Sequence, residues 1–273
     1  MPHGMTWQVL GMVAASALFW MVYIDSKDRF RPEPPLRLVG AFAIGMGAAI
    51  VALGAFALLT SFGGADASSE GWFGRTGQRL SNLITQPETT FDKAVLCFVF
   101  IGPIEEGAKV LAAWFLVFRW RVFDEPIDGF IYAAAIALGF ASLENLLHLP
   151  NLPLAEQVAR TLTLPITHCL FAAVWGFGVA HARLRMNPGP AFWLLQIGSI
   201  VLAALLHGLY DFLLIAYQWT FATSGLVLIL WIAVIWRARG SVQAQRTRSL
   251  AITGKHSPVA ITGTFPRVGS GRK

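Results

Sequence analysis

Charge is what this chain has least of. Asp, Glu, Lys and Arg make up 13% of its 273 residues, against about a quarter in soluble domains, and mean hydropathy is +0.58. That balance excludes an ordinary water-soluble protein. Cysteine is also scarce. Cys97 and Cys169 are the two, both inside apolar stretches, which excludes a disulfide framework. Cys169 follows His168, but successive helical residues point about 100° apart, so a small packing residue is expected rather than a thiol nucleophile. HExxH, GxSxG, a paired Asp motif and a phosphate-binding Gly loop are all missing from the apolar stretches, so the usual zincin, serine-hydrolase, aspartic-dyad and nucleotide-binding signatures are absent.

What the chain has instead is apolar length. Seven runs, approximately residues 5–24, 36–62, 94–118, 129–148, 162–182, 191–216 and 221–236, each approach or exceed the roughly 20 residues that cross a bilayer as a helix. The predicted fold is all-α, a polytopic membrane bundle of about seven transmembrane helices. Residues 1–239 form the membrane domain, and 240–273, rich in Ser, Thr, Gly and Arg, are a disordered basic tail.

Basic residues orient this bundle, because Lys and Arg mark cytoplasmic loops. Lys27, Arg29, Arg31 and Arg37, then Arg119 and Arg121, then Arg183 and Arg185, then the tail from Arg237 fall on alternate connections. Arg75, Arg79, Lys93 and Arg160 alone fall on the other side. The N-terminus is therefore predicted outside and the C-terminus in the cytoplasm. The first run has no basic flank before it and DSKDRFRPEPPLR after it, so it reads as a retained span and not a cleaved signal. The net charge of +6 belongs to loops and tail, where it suits anionic lipid, and nucleic-acid binding is not invoked. The segment 63–92 is read as the one sizeable outer loop.

Within the third run stands GPIEEGAK, residues 102–109. Each charge at the centre of a span costs about 2.5 to 3.5 kcal/mol on the insertion scale, so Glu105, Glu106 and Lys109 must face the bundle interior, pair or neutralise. Glu105 and Lys109, four residues apart, can pair on one face. A structural ion pair would satisfy that requirement, but other spans carry ionisable groups as well: Glu144 and His148 in FASLENLLH, His168 in LPITHCLF, and His207 and Asp211 in LLHGLYDFLL. Counting 14 to 16 residues from the inner margin of each span to Glu105, Glu144, His168 and His207 puts all four at a common depth of about 21 to 24 Å. Four helices thus converge on one plane slightly outside the midpoint, and intramembrane ionisable residues are functional-site candidates. His148 lies at the outer boundary, where interfacial packing is expected. Asn145 suits a hydrogen bond between helices. Asp211, one turn after His207, suits orientation of that imidazole.

Glu and His side chains sharing a lipid-screened pocket suit water activation: a desolvated carboxylate takes a proton from water while a histidine stabilises the oxyanion at a carbonyl. A metal variant is the second reading of these residues, with His168, His207 and Glu144 as a His₂Glu set for Zn²⁺ with an open water position and Glu105 as base.

The pieces EEGAK preceded by Pro103, DGFIYAAAIALGFASLEN, PITHCLFAAVWG and HGLYD, in this order over four successive spans, resemble the PrsW family of intramembrane proteases. So does the early YIDSKDRFRPEPPLRLVGAF, and the likeness covers roughly residues 23–214. The family is similar in its core to the CAAX prenyl endopeptidases, which share a helical bundle with the catalytic groups inside. The resemblance implies Glu105 and Glu106 as the catalytic pair with Lys109 in support, Glu144 and His168 completing the site, and His207 with Asp211 shaping an oxyanion hole or a ligand set. It departs from the CAAX enzymes at Glu144, where they usually have His, and at Asp211, where they often have Asn, so their mechanism does not transfer unaltered. It also implies single-span membrane-protein substrates such as anti-sigma factors, and a place in the cytoplasmic membrane of a bacterium. Glutamate-activated water is the expected chemistry, with zinc the second possibility. A proton-coupled transporter and a non-catalytic scaffold are the competing classes, the former because it too places Glu and His in spans.

Overall fold

The computed structural model describes residues 7–26, 33–64, 72–120, 123–218 and most positions between 223 and 236. Among these the chain is all helical. Its elements are α1 (Trp7–Asp25), α2 (Pro35–Gly64), α3 (Trp72–Thr85), α4 (Thr90–Val95), a π-helical stretch Leu96–Ile101, α5 (Gly102–Phe115), α6 (Pro126–His148), α7 (Leu154–Arg185) and α8 (Pro190–Tyr217), with short 3₁₀ turns after α5 and α6. Five helices, α1, α2, α6, α7 and α8, are long and apolar enough to cross a membrane, so the protein is polytopic. The third expected run, residues 94–118, is realised as α4, the π stretch and α5, which follow one another without a break from Thr90 to Phe115. In the seventh, every described position from Thr223 to Trp236 is helical. Much of the first basic loop and the whole 240–273 tail lie outside the described residues.

Local sequence sets the ends. Thr89 and Asp92 form a capping box before α4, the Asp92 amide donating to the Thr89 hydroxyl at 3.0 Å and the Asp92 carboxylate accepting from the Thr89 amide at 3.0 Å. Pro126 opens α6, where Asp128 accepts from the amides of Asp124 and Glu125 at 2.8 and 2.7 Å. Pro103 has no N–H to give the preceding turn. There the ladder shifts to i→i−5, and the Gly102 amide meets the Cys97 carbonyl. Pro165 likewise leaves the Thr161 carbonyl without a helical partner, and Ser16 of α1 donates its hydroxyl to it at 2.6 Å.

α6 is the centre of the bundle. Every residue from Ile127 to Ser142 is buried, and its Ala- and Gly-rich sequence lets α2 and α7 pack closely against it, as small residues do between membrane helices. Cys169 lies in the contact, its thiol 3.4 Å from the Ala134 carbonyl, a packing residue as expected.

The segment 63–92, read from the sequence as a loop, holds a helix that its polar composition concealed. α3 places Leu80, Leu83 and Ile84 on its half-buried side and leaves Arg79 exposed. Its apolar residues recur at helical spacing, but too few of them are present to raise the mean hydropathy.

Candidate active site

Two glycines set the distance between α5 and α8. A side chain on Gly102 would collide with the Ala204 carbonyl, and one on Gly208 would stand 2.7 Å from the Cys97 carbonyl. The two backbones therefore touch, which brings His207, one residue before Gly208, against the carboxylates of α5.

Glu106 is the hub. It is fully buried. Its Oε1 accepts from Lys109 Nζ at 2.8 Å and from His207 Nδ1 at 3.0 Å, and its Oε2 accepts from the indole N–H of Trp175 at 2.9 Å. Lys109, also fully buried, reaches His168 Nδ1 at 2.8 Å and sits 4.1 Å over the Phe140 ring. Its Nζ is 3.9 Å from Glu105, so the closer ion pair runs to Glu106, at i,i+3, and the expected i,i+4 pair is the longer one.

These contacts fix the hydrogens. A carboxylate only accepts, so His207 donates from Nδ1; an ammonium only donates, so His168 accepts at Nδ1 and carries its hydrogen on Nε2. Both Nε2 atoms then face the same space. His207 Nε2 lies 3.7 Å from Glu105 Oε2 and 3.4 Å from Asp211 Oδ2, and His168 Nε2 lies 3.1 Å from Glu144 Oε2. The rings meet edge to face at 5.0 Å, with Phe140 stacked on His168 and Phe171 on His207. Glu144 is held from the other side by Arg160 at 2.5 Å, and the same guanidinium donates to Asn145 Oδ1 at 3.2 Å. Asn145 thus makes the interhelical bond expected of it. His148 is exposed at the C-terminal end of α6.

Two carboxylate oxygens in this cluster are buried without a well-aligned hydrogen bond, Glu105 Oε2 and Glu144 Oε2, the second being in ion-pair contact with His168 Nε2 at 3.1 Å. They and the two Nε2 atoms border a cavity of about 620 Å³ that runs along α7 and α8 to the α6–α7 connection. Four carboxylates, of Glu105, Glu106, Glu144 and Asp211, share the site with one ammonium and one guanidinium. The excess negative charge suits a bound cation or protonated imidazole, since an unbalanced buried charge is costly.

The residues fit a metal once the Lys109–His168 pair gives up one proton, because His168 Nδ1 accepts from Lys109 and its Nε2 carries the hydrogen until then. Glu105, His168 and His207 each offer one ligand atom, all within 4.8 Å of one another, and support of His207 Nδ1 by a carboxylate is the usual orienting contact behind a metal-binding imidazole. The expected set had Glu144 as the carboxylate; the three donors that gather within 4.8 Å include Glu105 instead, while Glu144 is paired with Arg160. Arg160, which the sequence offered only as an outer charge, stands eight residues before His168, and Trp175 seven after it. Both spacings fall on the His168 face of α7, a signal that would have found them.

A family description, PrsW family intramembrane metalloprotease, matches residues 33–238. Among curated proteins named Protease PrsW, that of Clostridioides difficile is 28% identical over 81% of this chain and 83% of its own length. Those of Geobacillus kaustophilus and Bacillus subtilis are 34% and 35% identical over 52% and 49% of this chain, which spans 62% and 61% of their lengths. No solved structure matches. With the family description covering most of the chain and its ionisable groups gathered in one cavity between helices, the protein belongs to the PrsW family of intramembrane proteases.

Proposed function

We propose that this bacterial multi-pass membrane protein hydrolyses peptide bonds of single-span membrane proteins, of the anti-sigma-factor kind, in the cavity between α5, α6, α7 and α8. The observation that carries the reading is Glu105 Oε2, a buried carboxylate oxygen with no hydrogen bond, aimed at the Nε2 of His207.

Glu105 is the base. A water beside it gives a proton to Oε2 as its oxygen bonds to the substrate carbonyl carbon. The His168 Nε2–H faces the same space and stabilises the oxyanion. When the C–N bond breaks, the proton held by Glu105 passes to the departing amine nitrogen, and the carboxylate is restored. Glu106 has both oxygens filled, which suits holding His207 rather than taking protons. Lys109 fixes the His168 tautomer. Asp211 steadies His207, and Arg160 orients Glu144 along the cavity wall. In the alternative metal chemistry Glu105, His168 and His207 would hold a Zn²⁺ ion, the Lys109–His168 pair giving up a proton, and the ion would supply a Lewis acid for the water or the carbonyl in place of the base and oxyanion roles just given to Glu105 and His168.

Seven spans, with the N-terminus outside and the tail in the cytoplasm of a bacterial cell, follow from the alternation of basic loops. In a chain with Cys97 and Cys169 replaced, reactivity of single cysteines at the exposed positions 78 and 187 toward an impermeant reagent checks the orientation. For the chemistry, Glu105→Gln and His168→Ala are each expected to abolish cleavage of a co-expressed single-span substrate without loss of membrane insertion. Normal cutting by both variants would overturn the reading.

A further inference from the structure

A second cavity lies on the other side of the Glu105 and Glu144 carboxylates. It holds about 250 Å³ between α2, α3, the π stretch and α6, and its walls are apolar, with Ala49, Ala52 and Phe56 on one side, Ile84 of α3 across, and Phe140 and Leu147 on α6. Glu105 and Glu144 line this cavity and the polar one alike. With Ile101 and His148 they form the partition between a polar chamber and a mostly apolar one.

We propose that the apolar cavity is the specificity subsite for a large apolar side chain, leucine or phenylalanine, next to the bond that is cut. The inference rests on the hydrolytic reading given above. A peptide must be extended to expose its carbonyl to water, and side chains of an extended strand alternate in direction. With the reacting carbonyl held beside Glu105, one neighbouring side chain projects into the polar chamber and the next crosses the partition into the apolar one. Water gains little there, because few polar groups line the space to bind it, and a branched or aromatic side chain has room in 250 Å³. The π stretch is part of the device. It contributes Leu96 and Ile101 to the wall, and such segments occur often at functional sites where they re-aim side chains. Ile84 brings the outer helix α3 into the same wall, so the subsite is closed by a segment outside the main bundle.

The test uses the full-length protein in lipid vesicles with synthetic single-span peptides. One position at a time in the outer third of the span is varied among Gly, Ala, Leu and Phe, and the cut bonds are read by mass spectrometry. The wild type is expected to require Leu or Phe at one fixed position beside the cut. Ala52→Phe fills the cavity and should lower the ratio of Phe-bearing to Ala-bearing cleavage about tenfold or more, the discrimination that a lost apolar pocket gives, while the Ala-bearing peptide is still cut. Leu147→Ala enlarges the cavity and should extend acceptance to Trp. If Ala52→Phe cuts nothing, Leu147→Ala alone decides. Wild-type preference retained by both variants, or a wild type indifferent to side-chain size at every position, overturns the subsite and leaves hydrolysis standing. Equal product from wild type and Glu105→Gln is the separate outcome that removes the hydrolytic reading and the subsite with it.

Discussion

Trp175 on α7 donates its indole N–H to Glu106 on α5 across 2.9 Å, with both side chains fully buried. Through Glu106 the bond reaches the imidazole of His207 on α8. These two hydrogen bonds tie three helices together behind the reactive atoms, and they work by position because neither Trp175 nor Glu106 lines the polar cavity.

Trp175→Phe removes that donor and keeps most of the packing. Leaving a buried carboxylate oxygen unsatisfied costs about 1 to 3 kcal/mol. Proteolytic rate is expected to fall with little change in KM. A KM that rose in proportion would assign Trp175 to substrate binding.

Glu105→Gln and Glu106→Gln are expected to differ. The first loses the base and leaves the fold's melting temperature nearly unchanged. The second puts an amide against Lys109, His207 and Trp175, all of which donate to the carboxylate, so it should lower the melting temperature together with activity. Circular dichroism of the purified variants separates them, and equal stability loss in both would contradict the assignment.

Chelation decides the chemistry. If Zn²⁺ is resident, dipicolinate should remove cleavage, and added zinc should restore it while metal analysis returns one ion per chain. His207→Ala should then lose the ion. If the water is activated by Glu105 unaided, purified protein carries no stoichiometric metal and the chelator is without effect.

Gly208 admits no side chain beside the Cys97 carbonyl. Gly208→Val should push α8 from the π stretch, separate His207 from Glu106 and destabilise the protein by about 1 to 3 kcal/mol, as overpacking does. Urea unfolding in detergent measures the change.

Asp92, exposed at the start of α4, is held below the usual carboxylate range by the hydroxyl and amide of Thr89. A depressed folded-state value means that its stabilisation is complete above about pH 4 and is lost as pH falls through the folded value. The melting-temperature gap between wild type and Asp92→Asn at pH 6 should therefore narrow at pH 3. A gap independent of pH would sink the cap's role.

Much of the architecture was legible because membrane burial is read along the chain: an apolar run of sufficient length must become a helix, since no other single segment satisfies its own backbone in lipid. The convergence of Glu105, Glu144, His168 and His207 was legible too, from their equal distance to the inner margin. α3 was not, because its apolar residues are few. Arg160 and Trp175 could be placed on the His168 side of α7 by their spacing, but not their bonds to Glu144 and Glu106, which sit on other helices.

The sequence by itself determined that this protein is a bundle of membrane helices with carboxylates and imidazoles at one level, because hydropathy and the rise of a helix depend only on order along the chain. Tertiary structure decided how the neighbours Glu105 and Glu106 divide their work. Adjacent helical residues diverge by about 100°, and only the packing of α7 and α8 against α5 settles which of the two is enclosed by donors and which is left with a bare oxygen facing the cavity.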